Sequence, residues 1–235
     1  SPYARALQAR KRLLKRLGEV LAQAQDAAAA GAALSAGGLD LLAGGLDEAG
    51  LALSDDDVTE QLLLQRPAEL DWLQQELDDL PWPPPQGEAV TAYDASHAPR
   101  LDAVLKEVMR LTPPVGGFFR RTREPINLAD VLIPADRVVQ VSITATHRYG
   151  TGSEDLEVFR PQRHLGGNCT ATLLPYGGGE RVCLGKSLAE LEIRLLAVGL
   201  LKQLNLALEP DQDLALMVIP SPSPKSGLLV QPCLR

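Results

Sequence analysis

The chain has 235 residues, enough for one large domain or two small ones with a core that buries roughly 70% of the unfolded surface. That length excludes a disordered tail or a small stapled scaffold. With 23 Lys and Arg against 30 Asp and Glu, a net charge of −7 and 45% hydrophobic residues, the electrostatic footprint of a nucleic-acid binder is not expected.

Cys169, Cys183 and Cys233 are too few and too scattered for a disulfide framework, and no CxxC pair suggests a zinc site. A reducing compartment, the cytoplasm, is the expectation. The uncharged stretch Ala27 to Leu39 is Ala/Gly-rich and shorter than the ~20 apolar residues of a membrane span. Ser1 opens the chain without an initiator Met, which points to processing or to a start inside a longer parent.

From Tyr3 to Ala24, Leu7, Leu14, Leu17, Leu21 and Ala24 recur at helical spacing while Arg5, Arg10, Lys11, Arg12, Lys15 and Arg16 crowd the other faces. This reads as a solvated amphipathic helix. After an Ala/Gly-rich stretch, Ser54 offers an N-cap with Asp57 three residues on, for a short helix through Leu64. Pro67 starts another helix with Leu70, Leu73, Leu77 and Leu80 as its buried stripe, ended by Pro81 and the Pro83–Pro85 run. Pro99 begins a third, with Leu101, Val104, Leu105, Val108 and Leu111 on its apolar face and Pro113 and Pro114 as its stop. Short β-prone runs follow at Phe118 to Thr122 and Val138 to Thr144, then a helical pattern from Leu184 to Leu204. The tail around Pro220, Pro222 and Pro224 reads as a small hairpin.

The most informative segment runs Pro175-Tyr-Gly-Gly-Gly-Glu-Arg-Val-Cys183-Leu-Gly-Lys186. Three glycines let backbone lie close against something planar or bulky. Cys183 follows at a helix start, where free N–H groups and the dipole favour the thiolate that ligates metals, and Arg181 adds a cation. Taken alone, such a loop is more often an ordinary turn with a small buried cysteine. A phosphate loop does not fit, because five residues separate Gly179 from Gly185 and the in-register position is Glu180.

The segment resembles the haem-binding loop of the cytochrome P-450 superfamily, Phe-Gly-x-Gly-x-Arg-x-Cys-x-Gly, with Tyr176 in place of Phe and Gly177, Gly179, Arg181, Cys183 and Gly185 matching. Glu107-Val-Met-Arg110 resembles the family's ExxR helix, and Phe159-Arg-Pro161-Gln-Arg163 its meander, in the family's order. The likeness runs from Glu69 to the C-terminus. Pro113 to Arg120 and Pro222 to Val230 are similar to the branch of retinoid hydroxylases and their cyanobacterial relatives.

The resemblance implies a mainly α fold with a small β region, a partial cytochrome P-450 fold that keeps the proximal haem side. Residues 1–66 would be a helical remnant and 67–235 the haem-binding region. Cys183 would be the proximal ligand of haem b iron, Arg181 and Arg120 would hold its propionates, and Tyr176, Gly177 and Gly179 would line it. His147 is either a third propionate contact or a packed loop histidine. His97 and His164 are expected at the surface. Glu107, Arg110 and Arg163 would form a buried structural cluster.

The family also uses a long distal helix bearing Ala-Gly-x-x-Thr, and no such motif occurs here; Leu62-Leu-Leu64 runs directly into Gln65-Arg-Pro67. The distal helix is therefore expected to be absent, as is everything before Tyr3. Two functions follow: a truncated haem-thiolate monooxygenase inserting one oxygen atom into a small lipophilic, isoprenoid- or retinoid-like substrate with electrons from a ferredoxin or reductase, or a non-catalytic haem-binding remnant.

Overall fold

A computed structural model describes residues 15, 18–19, 22–23, 26–27, 29–30, 34–35, 63–85, 92–149, 156–167, 169, 171–217, 223–224 and 228–235. The elements are β1 (Leu34–Ser35), α1 (Pro67–Asp79), α2 (Pro99–Leu111), β2 (Gly117–Arg121), β3 (Ile126–Leu128), β4 (Val131–Ile133), β5 (Val138–Ser142), α3 (Ile143–Arg148), α4 (Lys186–Gln203), β6 (Leu204–Leu208), β7 (Leu216–Met217), β8 (Ser223–Pro224) and β9 (Leu229–Leu234). The fold is mainly α with a small β region. Short 3₁₀ turns, Pro161–Gly167 and Gly179–Arg181, precede α4. Most of the Tyr3–Ala24 helix and the Ser54 cap lie outside the described residues, although Lys15 and Glu19 are helical and paired at 3.8 Å.

The helices begin and end where the sequence punctuates them. Pro occupies the first turn of both α1 and α2, where its missing N–H is no loss. No residue before α2 caps it by a side chain; the carboxylate of Glu76 in α1 does so instead, accepting the N–H of Arg100 at 2.8 Å and of Leu101 at 2.9 Å. At the other end of α1, Lys202 Nζ donates to the carbonyls of Leu77, Asp78 and Leu80, a cation at the negative end of a helix. Each helix thus finishes its neighbour.

The core forms where these helices meet. Leu73 and Leu77 of α1, the whole stripe Leu101, Val104, Leu105, Val108 and Leu111 of α2, and Ile193, Leu195, Val198 and Leu201 of α4 are buried, each side chain contributing roughly 1.5–3 kcal/mol of transfer free energy. Leu70 and Leu80 are only partly covered. Antiparallel β6 and β1 flank β9 in a three-stranded sheet, and β2–β5, β3–β4 and β7–β8 are two-stranded. The tail therefore does contain a hairpin, β7 with β8. Unforeseen is the β3–β4 hairpin, whose turn residues Ala129 and Asp130 both have positive φ, the geometry that matches strand twist.

One position in α4 is fixed by contact. A Cβ on Gly199 would lie 2.8 Å from the Trp82 indole, which is itself stacked on Tyr93. Gly199→Ala gains about 1 kcal/mol of helix propensity but overpacks this contact at a cost of about 1–3 kcal/mol. A lower midpoint in thermal denaturation is expected; an unchanged or raised midpoint would show that Trp82 yields freely.

Candidate functional site

Two groups of residues separate in space. The first is buried and centred on Glu107 of α2, whose side chain and that of Arg110 are 0% exposed. Glu107 Oε2 accepts Arg110 Nε at 2.8 Å and Oε1 accepts the other guanidinium nitrogen at 3.0 Å, a two-point contact along one helix turn. Arg163 Nε adds a bond to Oε1 at 3.0 Å, and the Arg160 amide another at 2.8 Å. The remaining Arg110 N–H groups donate to the carbonyls of His147, Leu156 and Val158.

His164 belongs to this cluster, which corrects the expectation of a surface residue. Its side chain is 2% exposed, and Nε2 lies 2.8 Å from Glu107 Oε2. His97 does lie at the surface, beside Asp94 at 3.0 Å. Burial, the largest single influence on Glu107, pushes its carboxyl up, but hydrogen bonds from His164, Arg110 and the Arg160 amide, together with the Arg110 charge, hold it down at about 2.

His147 is likewise buried, and both ring nitrogens are taken by protein. Nδ1 donates to the Arg110 carbonyl at 3.2 Å, and the Leu174 amide donates to Nε2 at 2.7 Å. A ring used twice in this way has no nitrogen left for a propionate, so the structure corrects that reading in favour of the packed one. Burial lowers its pKa, which suits the neutral tautomer these partners require.

The second group is exposed and lies on the glycine loop. Gly177 and Gly179 both have φ of +71°, a left-handed backbone that a side chain would strain. The loop is closed by Gly177 N–H to Leu174 O at 2.9 Å, Val182 N–H to Gly179 O at 3.2 Å and Cys183 N–H to Tyr176 O at 3.0 Å. Cys183 is exposed just before α4, as is Arg181. Apolar Val182, Leu184 and Leu188 around it are exposed too.

Strand β2 brings the other half of this surface. Phe118 and Arg120 share one face of the strand by its two-residue period, and the Arg120 guanidinium sits 4.2 Å over the Phe118 ring. Arg120 also reaches the Gly178 carbonyl at 3.5 Å, and Phe118 would touch a Cβ at Gly177. Lys186 Nζ is 5.8 Å from the Tyr176 ring centroid. The fold therefore gathers Phe118, Arg120, Tyr176 to Gly178 and Cys183, while Glu107, Arg110, Arg163 and His147 lie in the protein interior. Sequence reading missed Phe118 and Lys186; spacing i, i+2 with Arg120 on a strand was the available signal for the former.

An exposed thiol, two exposed guanidinium groups, apolar side chains and a backbone without Cβ atoms suit a planar, largely apolar group that carries carboxylates and a thiol-binding metal. Nothing in the donor set conflicts with haem.

The buried cluster yields a measurable consequence. Removing Glu107 leaves Arg110, Arg163 and His164 facing one another, a change that costs about 3–5 kcal/mol. Glu107→Ala should therefore fail to give soluble folded protein or melt far below wild type. Because Glu107 titrates at about 2 rather than 4.5, its contribution is complete above pH 4.5 and is lost as pH falls toward 2. Acid denaturation of Glu107→Gln should lack that component; an acid limb identical to wild type would place the stabilisation elsewhere.

Comparison with known proteins bears on the whole assembly. The family model described as Cytochrome P450 matches residues 61–232. Cytochrome P450 120 of Synechocystis sp. is 40% identical over 149 residues, covering 61% of this chain and 34% of that protein. Steroid 21-hydroxylase of Sus scrofa is 38% identical over 175 residues, covering 72% of this chain and 34% of that protein. A solved structure of retinoic acid-bound cyanobacterial CYP120A1 superposes with a TM-score of 0.69 at 34% identity, covering 84% of this chain and 45% of that one. The chain thus spans about one third of the length of the curated relatives it matches. With most of its length matched by the family model, and with the fold and sequence likeness agreeing, the chain belongs to the cytochrome P450 family.

Proposed function

We propose that residues 67–235 form the proximal haem-binding part of a monooxygenase that inserts one oxygen atom from O2 into a small lipophilic substrate, residues 1–66 being a helical remnant. The observation that carries this reading is Cys183, exposed on a glycine loop closed by its own amide, with Arg120 at the loop and Arg181 exposed within it. Family membership implies haem b, and the likeness to a retinoic acid-bound cyanobacterial structure supports an isoprenoid- or retinoid-like substrate. Electrons would come from a separate ferredoxin or reductase. No helix among the described residues is long and apolar enough to cross a membrane, in keeping with a cytoplasmic placement.

Each residue has a definable task. Cys183 would hold the metal through sulfur. Arg120 and Arg181 would pair with carboxylates, where a planar guanidinium suits two-point hydrogen bonding. Gly177 and Gly179 keep the loop free of Cβ atoms, Tyr176 supports it from beneath through its carbonyl, and Val182, Leu184 and Leu188 would exclude water from the covered face. When bound, haem with a thiolate ligand supplies O–O bond cleavage.

A second reading, haem binding without turnover, is favoured by one observation: the sequence contains no Ala-Gly-x-x-Thr, and Leu64 is followed almost at once by Pro67. In the structure Leu63 and Leu64 end a helical turn, and the Arg66 amide bonds the Leu63 carbonyl at 2.8 Å immediately before α1. Oxygen cleavage needs routed protons and a site that excludes bulk water, tasks for which the sequence supplies no Ala-Gly-x-x-Thr motif.

The ferrous carbon monoxide spectrum tests the ligand. Wild type should show the thiolate-type Soret band and Cys183→Ser should lose it, whereas a band that survives would transfer the role to Cys169 or Cys233. Turnover with a surrogate reductase separates the two functions. Little product for the NADPH consumed is the expected outcome for this chain; product coupled to most of that NADPH would establish a competent monooxygenase and dismiss the second reading.

A further inference from the structure

We infer that His147 is a positioning residue for the cysteine loop: its neutral ring, clamped between the Arg110 carbonyl and the Leu174 amide, sets the point from which the loop bearing Cys183 departs. The inference deepens the role proposed for that loop and rests on it.

The hydrogen bonds form a traceable series. Arg110 and His147 are joined twice, since the Arg110 guanidinium also donates to the His147 carbonyl at 3.2 Å. From the ring the next bond goes to the Leu174 amide at 2.7 Å. Leu174 in turn offers its carbonyl to the Gly177 amide at 2.9 Å, and the adjacent Tyr176 carbonyl receives the Cys183 amide at 3.0 Å. The imidazole is the one side chain in this series between helix α2 and the loop.

Only the neutral tautomer with hydrogen on Nδ1 satisfies both partners, because a carbonyl can only accept and an amide N–H can only donate. Protonation would place a donor against the Leu174 N–H and break that bond. Among the charged groups around the ring, Arg110 of α2 faces it and disfavours a second positive charge. Glu107, Arg163 and His164 are engaged with one another, and Arg148, next on α3, pairs with Glu157. Burial acts in the same direction as Arg110, lowering the pKa. The sign follows: a histidine held below its ordinary 6.5 supports the fold fully above that pH, and the support is lost as pH falls below it.

The test uses the full chain without added haem, so that it reads the loop and not the bound group. Amide protection factors of Leu174, Gly177 and Cys183 are measured by hydrogen exchange, alongside iodoacetamide alkylation of Cys183 normalised to the exposed Cys233 in the same sample. Near neutral pH, His147→Ala should lower the three protection factors about tenfold, the equivalent of one buried hydrogen bond, and raise the normalised alkylation. His147→Gln, whose Oε1 can accept from the Leu174 amide, should restore most of the protection. In wild type the same protection should fall as pH drops below 6.5, and in His147→Gln it should not. Unchanged protection in His147→Ala, a wild-type profile flat through that range, or equal loss throughout α2 would overturn the inference. Loss of the Soret signature in every variant with the loop responses intact would instead remove the haem reading and leave the positioning role standing.

Discussion

A single buried carboxylate organises the part of the chain that matters most. Glu107 receives hydrogen bonds from Arg110, Arg163, His164 and the Arg160 amide, and these groups come from two stretches of backbone, its own helix and the Phe159 to His164 segment packed against it. A carboxylate taken out of water without partners would simply protonate. Here the partners are dense enough to keep it charged despite burial, so the α2 helix and the Phe159 to His164 segment cannot separate without exposing unpaired charge on both sides. Arg110 extends the arrangement by donating to the carbonyls of Leu156 and Val158, which fixes a stretch of irregular backbone that has no regular ladder of its own.

The consequence for the cysteine loop is positional. Nothing in the Pro175 to Gly185 sequence dictates where the loop sits; the glycines permit a shape and do not choose a place. Place is supplied from two directions, by His147 through the Leu174 amide and by Phe118 and Arg120 of β2 against Gly177 and Gly178. Both supports trace back to α2 and the strand that follows it, so the interior cluster and the exposed thiol are parts of one mechanical arrangement.

Much of the fold was legible because helices and turns advertise themselves locally. The leucine and valine spacing in α1 and α2, with Pro67 and Pro99 at their starts, marked both helices and their first residues, since periodicity of 3.6 and proline's missing N–H act within a few residues; α1 ends one residue earlier than its stripe implied, with Leu80 as its extended cap. The β3–β4 hairpin was not legible: its Ala129-Asp130 turn lacks the Asn-Gly or Asp-Gly signal that usually marks such geometry. Amphipathic reasoning alone would also have put Glu107 and Arg110 in water, and only the three motifs taken together pointed inward. His164 carried no pattern of its own, because a histidine beside an arginine in a loop looks the same whether it faces solvent or a buried carboxylate. His147 was ambiguous for a related reason: both of its partners are backbone atoms, and backbone atoms leave no trace in side-chain identity.

The distribution of charge separates structure from chemistry. Arg110 and Arg163 are enclosed and donate to Glu107 and to backbone carbonyls, which turns them inward, away from anything outside. Arg120 and Arg181 have the same side chain but lie at the surface; Arg120 stacks on Phe118, a contact that holds a guanidinium plane in position while leaving its edge available. Among the described residues the two kinds of arginine are linked through the His147 ring, strand β2 and the backbone hydrogen bonds that close the loop. It follows that the proposed binding surface takes its placement from the buried cluster, while Arg120 and Arg181, being exposed, are the guanidinium groups that would meet an incoming carboxylate.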